Sequence, residues 1–213
     1  MRPNSVAARA WEFFDTLTWI ATLNFAWIIF TLLGGVVFGF APSTVTAVIL
    51  VRRRVRGDIV HPFREYLTLY CGEFRRANLL LLPGGLFIIA LFYSWQYFSR
   101  GTDLLSGILA GLAVVLLGLC AALIAVLVPL YCSYQLPLGR YPATTVIFTL
   151  ANPLLLVLTL GTIAGVLALS WFLPGIVPFF TVGLLIYLTA RLSLDFIGRN
   201  ENRLAASAVA TAP

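Results

Sequence analysis

Few side chains in this 213-residue sequence could do acid–base or covalent chemistry, and those few do not cluster. There is a single histidine, His61, next to Pro62, so no imidazole pair or histidine-based metal set can form. Cys71, Cys120 and Cys132 lack metal-type spacing, and no structural disulfide is expected among them. Of eight carboxylates, seven fall in loops or at helix ends. No HExxH, glycine-rich phosphate loop or CxxC occurs. The inventory points to no catalytic residue, metal ligand or cofactor, and the chain is read as a non-enzyme. Asp195 is the exception in placement, near the inner end of the last apolar stretch and four residues after Arg191. An ionisable group inside a bilayer costs ~2.5–3.5 kcal/mol at the centre on insertion scales, less toward the interface. Arg191 at i−4 shares its helical face and is the expected partner; a proton or cation site is the alternative.

Polar and small residues within the apolar stretches carry a second kind of signal. Asn24 and Asn152 are amides in or beside hydrocarbon, where such groups hydrogen-bond across helices for ~0.6–2 kcal/mol. Both are read as structural clamps, with ligand contact the alternative. Gly35, Gly39, Ser43 and Ala47 fall four apart and would stack as a small-residue stripe on a continuous helix, which Pro42 must bend. Gly107/Gly111 and Gly161/Gly165 repeat the spacing. Such stripes let helices approach closely, within one chain or between subunits.

The elements that must position these residues follow from the charge pattern. The chain is 61% hydrophobic and 10% charged, against about 25% charged in ordinary soluble domains. Charge-free runs span Leu17–Val51, Ala77–Ser99, Leu104–Gly139 and Tyr141–Ala190. Since roughly 20 apolar residues cross a bilayer as a helix, the fold class is an all-α, polytopic membrane helical bundle. A single transmembrane domain over 1–204 is expected, with an Ala-rich tail over 205–213 read as disordered. The first run is far longer than a signal-peptide core and follows Glu12 and Asp15, so it is not read as one. Ala77–Ser99 and Leu104–Tyr131 each make a span, and the last run makes two, Pro153–Phe172 and Ile176–Asp195, broken by Pro174-Gly175 and Pro178. Leu17–Val51 is either a hairpin of two short helices about Gly34-Gly35 or one span followed by a bent, re-entrant segment after Pro42.

Arginine counting separates these. All 14 basic residues are arginine; six spans put 13 on the cytoplasmic side against Arg100 outside, and five spans give 11 to 3. Six is favoured, five is the alternative, and both termini are then cytoplasmic. The basic residues crowd at span ends, a membrane-topology pattern and not a nucleic-acid footprint. Between the block Arg52-Arg53-Arg54-Val55-Arg56 and the next span, Phe63, Tyr66, Leu67, Tyr70, Phe74 and Ala77 recur at helical spacing, with Arg64, Glu65, Arg75 and Arg76 elsewhere. This predicts an amphipathic helix on the cytoplasmic interface running into the following span. Arg52, Arg53, Arg54, Arg56, Arg64, Arg75 and Arg76 form the candidate docking surface, for anionic lipid or for a protein.

Asn24-Phe25-Ala26-Trp27, Gly39-Phe40-Ala41-Pro42-Ser43-Thr44-Val45-Thr46-Ala47, Val51 to Asp58, Phe63-Arg64-Glu65-Tyr66 and Phe74-Arg75-Arg76-Ala77-Asn78-Leu79 together resemble the YesL-like family of bacterial membrane proteins, domain of unknown function 624. The likeness covers roughly residues 17–90; beyond, Tyr141-Pro142 and Ala151-Asn152-Pro153 are the suggestive points, and Ser43 stands where alanine is usual. The resemblance implies a bacterial inner-membrane protein. It also implies association with carbohydrate uptake, as an accessory or assembly factor for a sugar importer of the ATP-binding-cassette type. The chain lacks the EAA-type loop of such an importer's permease and the phosphate loop of its ATPase. A transporter or channel is the alternative: Asn24 and Asn152 each stand seven residues before a threonine, Thr31 and Thr159, as in two related halves.

Overall fold

The computed structural model describes residues 6–210, and side-chain surroundings for residues 10–203. Among these residues the chain is helical with no strand: α1 (Val6–Leu33), α2 (Val37–Val55), α3 (Pro62–Phe98), α4 (Leu104–Ser133), α5 (Tyr141–Ala151), α6 (Pro153–Phe172) and α7 (Val182–Ala210). A 3-10 turn at Pro174–Ile176 and a π-helical turn at Val177–Thr181 lead into α7. Five helices are long and apolar enough to cross a bilayer: Ala10–Leu33, α3, α4, α6 and Pro174–Arg203. The protein is a multi-pass membrane bundle.

The first apolar run folds as the hairpin. Its turn has Gly35 at φ 73° and Val36 at φ 62°, and Val37 N–H donates to the Gly35 carbonyl at 2.8 Å. That is a γ-turn with positive φ, a strained geometry for a β-branched residue. The arms run antiparallel. Gly39 packs on the Thr31 carbonyl, Trp27 Nε1 donates to Thr44 Oγ1 at 3.1 Å, and Arg54 reaches Asp15 at 2.7 Å. Charged groups from the starts of α1 and α3, the end of α2 and the last turns of α7 gather at one end of the bundle, here the arginine end. Because α1 begins and α7 approaches its end there, the chain traverses the bundle an even number of times, with α2 as the return arm. Yet α2 is not among the five apolar spans, since Arg52–Arg54 occupy its last turn. It lies at the centre, with ten of its 19 residues buried. An enclosed helix need not be apolar all round, because its polar groups meet protein and not lipid.

Pro42 does not end α2, which runs unbroken from Val37 to Val55. Proline removes the N–H that the Phe38 carbonyl would have accepted. Asn78 Nδ2, from α3, donates to that carbonyl at 3.0 Å in its place. In the same region Tyr66 Oη donates to the Ser43 carbonyl at 2.7 Å, and Phe30 stacks on Tyr66 with centroids 4.7 Å apart. The amphipathic segment runs on into the following span, as expected. It is the first part of the 37-residue α3, and its aromatic stripe divides. Tyr66, Tyr70 and Ala77 are buried against the hairpin, while Phe63 and Leu67 are exposed.

One expectation changes and one element is added. α7 continues through Ala210, so positions 205–210 of the expected tail are helix, as alanine's propensity allows without an apolar stripe; 211–213 lie outside the described residues. An additional helix, α5, which the division of the last apolar run into two spans does not include, breaks from α6 at Asn152-Pro153.

Candidate functional site

The arginines grouped in the sequence as one basic patch separate into two sets. Arg52 turns inward: its guanidinium donates to the Cys132 carbonyl in the last turn of α4, a cation at the negative end of a helix. Arg53 bridges Glu65 and, at 3.9 Å, Asp58, pinning the start of α3 to the end of α2. Arg54 pairs with Asp15 at 2.7 Å and lies 4.7 Å over the Trp19 ring, closing the open end of the hairpin. By contrast Arg56, Arg64, Arg75 and Arg76 are exposed and take part in no ion pair among the described residues. Around them the arginine end is further tied by Tyr131 donating to Glu73 and by Tyr141 Oη donating to the Tyr134 carbonyl at 2.7 Å. Burial raises the Tyr134 phenol's pKa, with Glu201 as acceptor adding to it. A cleft of about 320 Å³ between α1, α2 and α7 and a smaller one of about 200 Å³ between α2, α4 and α7 open here.

The intramembrane polar residues behave differently from one another. Asn24 is fully buried and is the clamp expected. Its Nδ2 donates to the Pro178 carbonyl and its Oδ1 accepts from Gly183 N–H, both at 2.8 Å. The amide thereby sits in the backbone ladder where Pro178 and the π-turn leave one carbonyl and one N–H unjoined. Gly183 admits it, since a Cβ there would lie 2.7 Å from the Ile20 carbonyl. Asn152 does not reach across helices: Nδ2 donates to its own i−4 carbonyl, Phe148, at 2.9 Å. Nor do Arg191 and Asp195 pair. Arg191 donates to Tyr187 Oη at 3.1 Å, one turn toward the amino end, and Asp195 is exposed. The i−4 spacing permits the pair, but the tyrosine holds the guanidinium on its other side.

Of the small-residue stripe, Gly39, Pro42, Ser43 and Ala47 are buried on α2, whereas Gly35 belongs to the turn. A Cβ at Gly39 would overlap the Thr31 carbonyl, and one at Gly34 the Tyr70 hydroxyl and Gly39 Cα. At Gly107, Gly111, Gly161 and Gly165 an added Cβ meets nothing within 4 Å, so spacing there did not signify packing. Sequence reasoning missed Asn78 as the partner of Pro42. The signal was the proline itself, which promises an unjoined carbonyl four residues earlier, but the donor lies 40 positions away from that carbonyl.

Residues 20–95, which hold the hairpin turn and α2, Asn24, Asn78 and all seven docking arginines, match the family described as "Protein of unknown function, DUF624". Over 168 residues the sequence is 38% identical to the uncharacterized protein YesV of Bacillus subtilis strain 168, covering 76% of this chain and 78% of the relative. The chain belongs to the DUF624 family. Two further relatives from the same organism, the uncharacterized proteins YteU and YesL, are 27% and 23% identical. The first covers 90% of this chain and 86% of the relative, the second 87% and 90%. The likeness to these relatives therefore extends beyond the residues that the family model matches and into the helices after α3. No solved structure matches the chain.

Proposed function

We propose that this DUF624 protein is a bacterial inner-membrane accessory or assembly factor that binds a partner protein at its arginine end. The observation that carries this is the division of the arginines. Arg52, Arg53 and Arg54 hold the bundle together, while Arg56, Arg64, Arg75 and Arg76 stand exposed without ionic partners among the described residues. Exposed arginines carry a planar fork suited to carboxylates of a docking protein, and clustering at one end supports a cytoplasmic location for it. The partner implied by the family resemblance is a sugar importer of the ATP-binding-cassette type. Native-membrane co-purification tests this: the wild type should recover importer subunits, and Arg64→Gln/Arg75→Gln/Arg76→Gln should recover them several-fold less. Recovery of abundant bystanders alone, unchanged by the triple variant, overturns the reading.

The transporter alternative draws on one observation, the break in regular helix at Pro174–Thr181 between α6 and α7, where Asn24 of α1 bonds the Pro178 carbonyl; broken helices are a feature of transporter binding sites. Flux of sugar or ion into proteoliposomes above empty controls would favour it over the accessory role.

A further inference from the structure

The larger cleft at the arginine end is lined by Glu12, Asp15 and Thr16 of α1, Arg54 and Val55 of α2, and Tyr187 and Arg191 of α7. At about 320 Å³ it lies at the small end of the ~300–1,000 Å³ range of ligand sites, the scale of a headgroup more than of an extended substrate. Its four charges cancel, two carboxylates against two guanidiniums, but they are not all joined to one another. Arg54 and Asp15 are bonded at 2.7 Å. Arg191 donates to the neutral Tyr187 hydroxyl alone, leaving most of its five N–H groups free, and neither it nor Glu12 makes an ion pair among the described residues. A wall that is neutral in sum, with an unjoined cation and an unjoined anion, is complementary to a ligand carrying both signs. A purely anionic headgroup would meet Glu12 and Asp15, and a simple cation would meet Arg54 and Arg191. Beside the cleft, Trp11, Phe13 and Phe14 are 78%, 61% and 64% exposed on the same turns of α1 as Glu12 and Asp15. Exposed aromatics at the end of a membrane-crossing helix mark the depth of lipid headgroups.

We infer that this cleft binds the headgroup of a zwitterionic phospholipid bearing a primary ammonium, its phosphodiester on the Arg191 guanidinium and its ammonium at Glu12. Arginine suits a phosphate bidentately, and a primary ammonium can donate hydrogen bonds to Glu12 that a quaternary one cannot. Arg54, held by Asp15 and Trp19, forms the fixed floor. The site is separate from the exposed arginines assigned to a protein partner, so either assignment can fail alone.

Purified protein is exchanged with mixed vesicles of equal phosphatidylethanolamine, phosphatidylcholine and phosphatidylglycerol, and the retained lipids are counted by native mass spectrometry. The wild type should retain phosphatidylethanolamine in excess of both others. Arg191→Gln should cut its retention about tenfold, the scale of one charge-assisted hydrogen bond. Glu12→Gln should abolish the preference over phosphatidylcholine while leaving phosphatidylcholine retention unchanged. Both residues are on the surface, and unchanged unfolding midpoints would show that the variants fold. Equal retention of the three lipids, a preference for phosphatidylglycerol, or variants with wild-type retention would overturn the inference. So would full displacement of the lipid by millimolar glycerophosphoethanolamine, which would identify the free headgroup as ligand.

Discussion

α2 and α6 are helices of nearly equal length, 19 and 20 residues, placed in opposite solvents. Ten residues of α2 are buried inside the bundle, against three of α6. Each has a proline that leaves the backbone hydrogen-bond ladder incomplete, Pro42 inside α2 and Pro153 at the start of α6, and the repairs differ. The carbonyl freed by Pro42 inside α2 is met by Asn78 from another helix, whereas the break before Pro153 is met by Asn152 bonding its own preceding turn. The same contrast separates the glycines: a Cβ on Gly39 would overlap the backbone of α1, and one on Gly161 would meet nothing within 4 Å. An enclosed element can be polar and interrupted provided distant residues complete it. A lipid-facing element must complete itself.

The largest test of that difference is one methyl group placed on each helix. Gly39→Ala sets a Cβ against the Thr31 carbonyl, which belongs to rigid helix backbone, and should cost about 3 kcal/mol as the hairpin arms are forced apart. Gly161→Ala meets open space and should be neutral or stabilising by up to about 1 kcal/mol through helix propensity. SDS-titrated unfolding of the purified protein in mixed micelles measures both. Similar losses at the two sites would mean that burial does not distinguish these helices.

Next come the two asparagines that the sequence treats as equivalent. Asn24→Ala leaves the Pro178 carbonyl and the Gly183 N–H without partners at a buried site and should cost about 2 kcal/mol. Asn152→Ala removes one local bond at a half-buried position and should cost about 0.5 kcal/mol. The same unfolding assay reads the difference, and equal costs would dissolve the contrast.

Pro42 and Asn78 sharpen it further, because their coupling can be isolated. Asn78→Ala alone should cost about 1 kcal/mol. In a Pro42→Ala background the restored N–H at position 42 can serve the Phe38 carbonyl, so the same change should cost markedly less. A double-mutant cycle measures the coupling as the difference. Additive effects would show that Asn78 acts through its second acceptor, the Phe74 carbonyl at 2.8 Å, and not through the proline.

These cases also show how much could be read from the sequence. The bundle was legible from charge-free length, and arginine position favoured the hairpin about Gly34-Gly35; the rule for an amide in hydrocarbon held for Asn24 and failed for Asn152, which bonds its own preceding turn. Partner identity was not legible wherever two solutions had similar cost. Arg191 could bond Asp195 or Tyr187 from the same helix, and helical spacing alone does not choose. The basic block read as one patch because sequence carries charge and not direction. Arg52 meeting Cys132 depends on α4 ending beside α2, a fact of tertiary packing. The Gly107/Gly111 and Gly161/Gly165 pairs fail for the same reason, while Gly39, Ser43 and Ala47 are buried: spacing places residues on one face but does not say whether that face meets a helix or lipid.

The smallest expected effect lies at a self-completed site in a loop, the end of the molecule opposite the arginines. Asp103 caps α4, accepting from Ser106 N–H at 3.1 Å and from Ser106 Oγ at 2.6 Å. The Ser106 hydroxyl first, and then its backbone N–H, holds this carboxyl below its ordinary value of 3.8. A carboxylate whose pKa is lower folded than unfolded contributes stability that is complete above the unfolded value and disappears as pH falls through the folded one. The cap should therefore weaken below about pH 4, the unfolded carboxylate range. Asn is as good an N-cap as Asp but does not titrate. Asp103→Asn should consequently match the wild type at pH 6 and lose less stability than it between pH 4 and pH 2, while Asp103→Ala should be weaker than the wild type at pH 6 and lose less on acidification. Subtracting one acid profile from another cancels the titrations of the remaining carboxylates, which all three proteins share. Parallel profiles for wild type and Asp103→Asn would place the cap's strength in geometry and not in charge, and local completion would then owe nothing to electrostatics even where water is at hand.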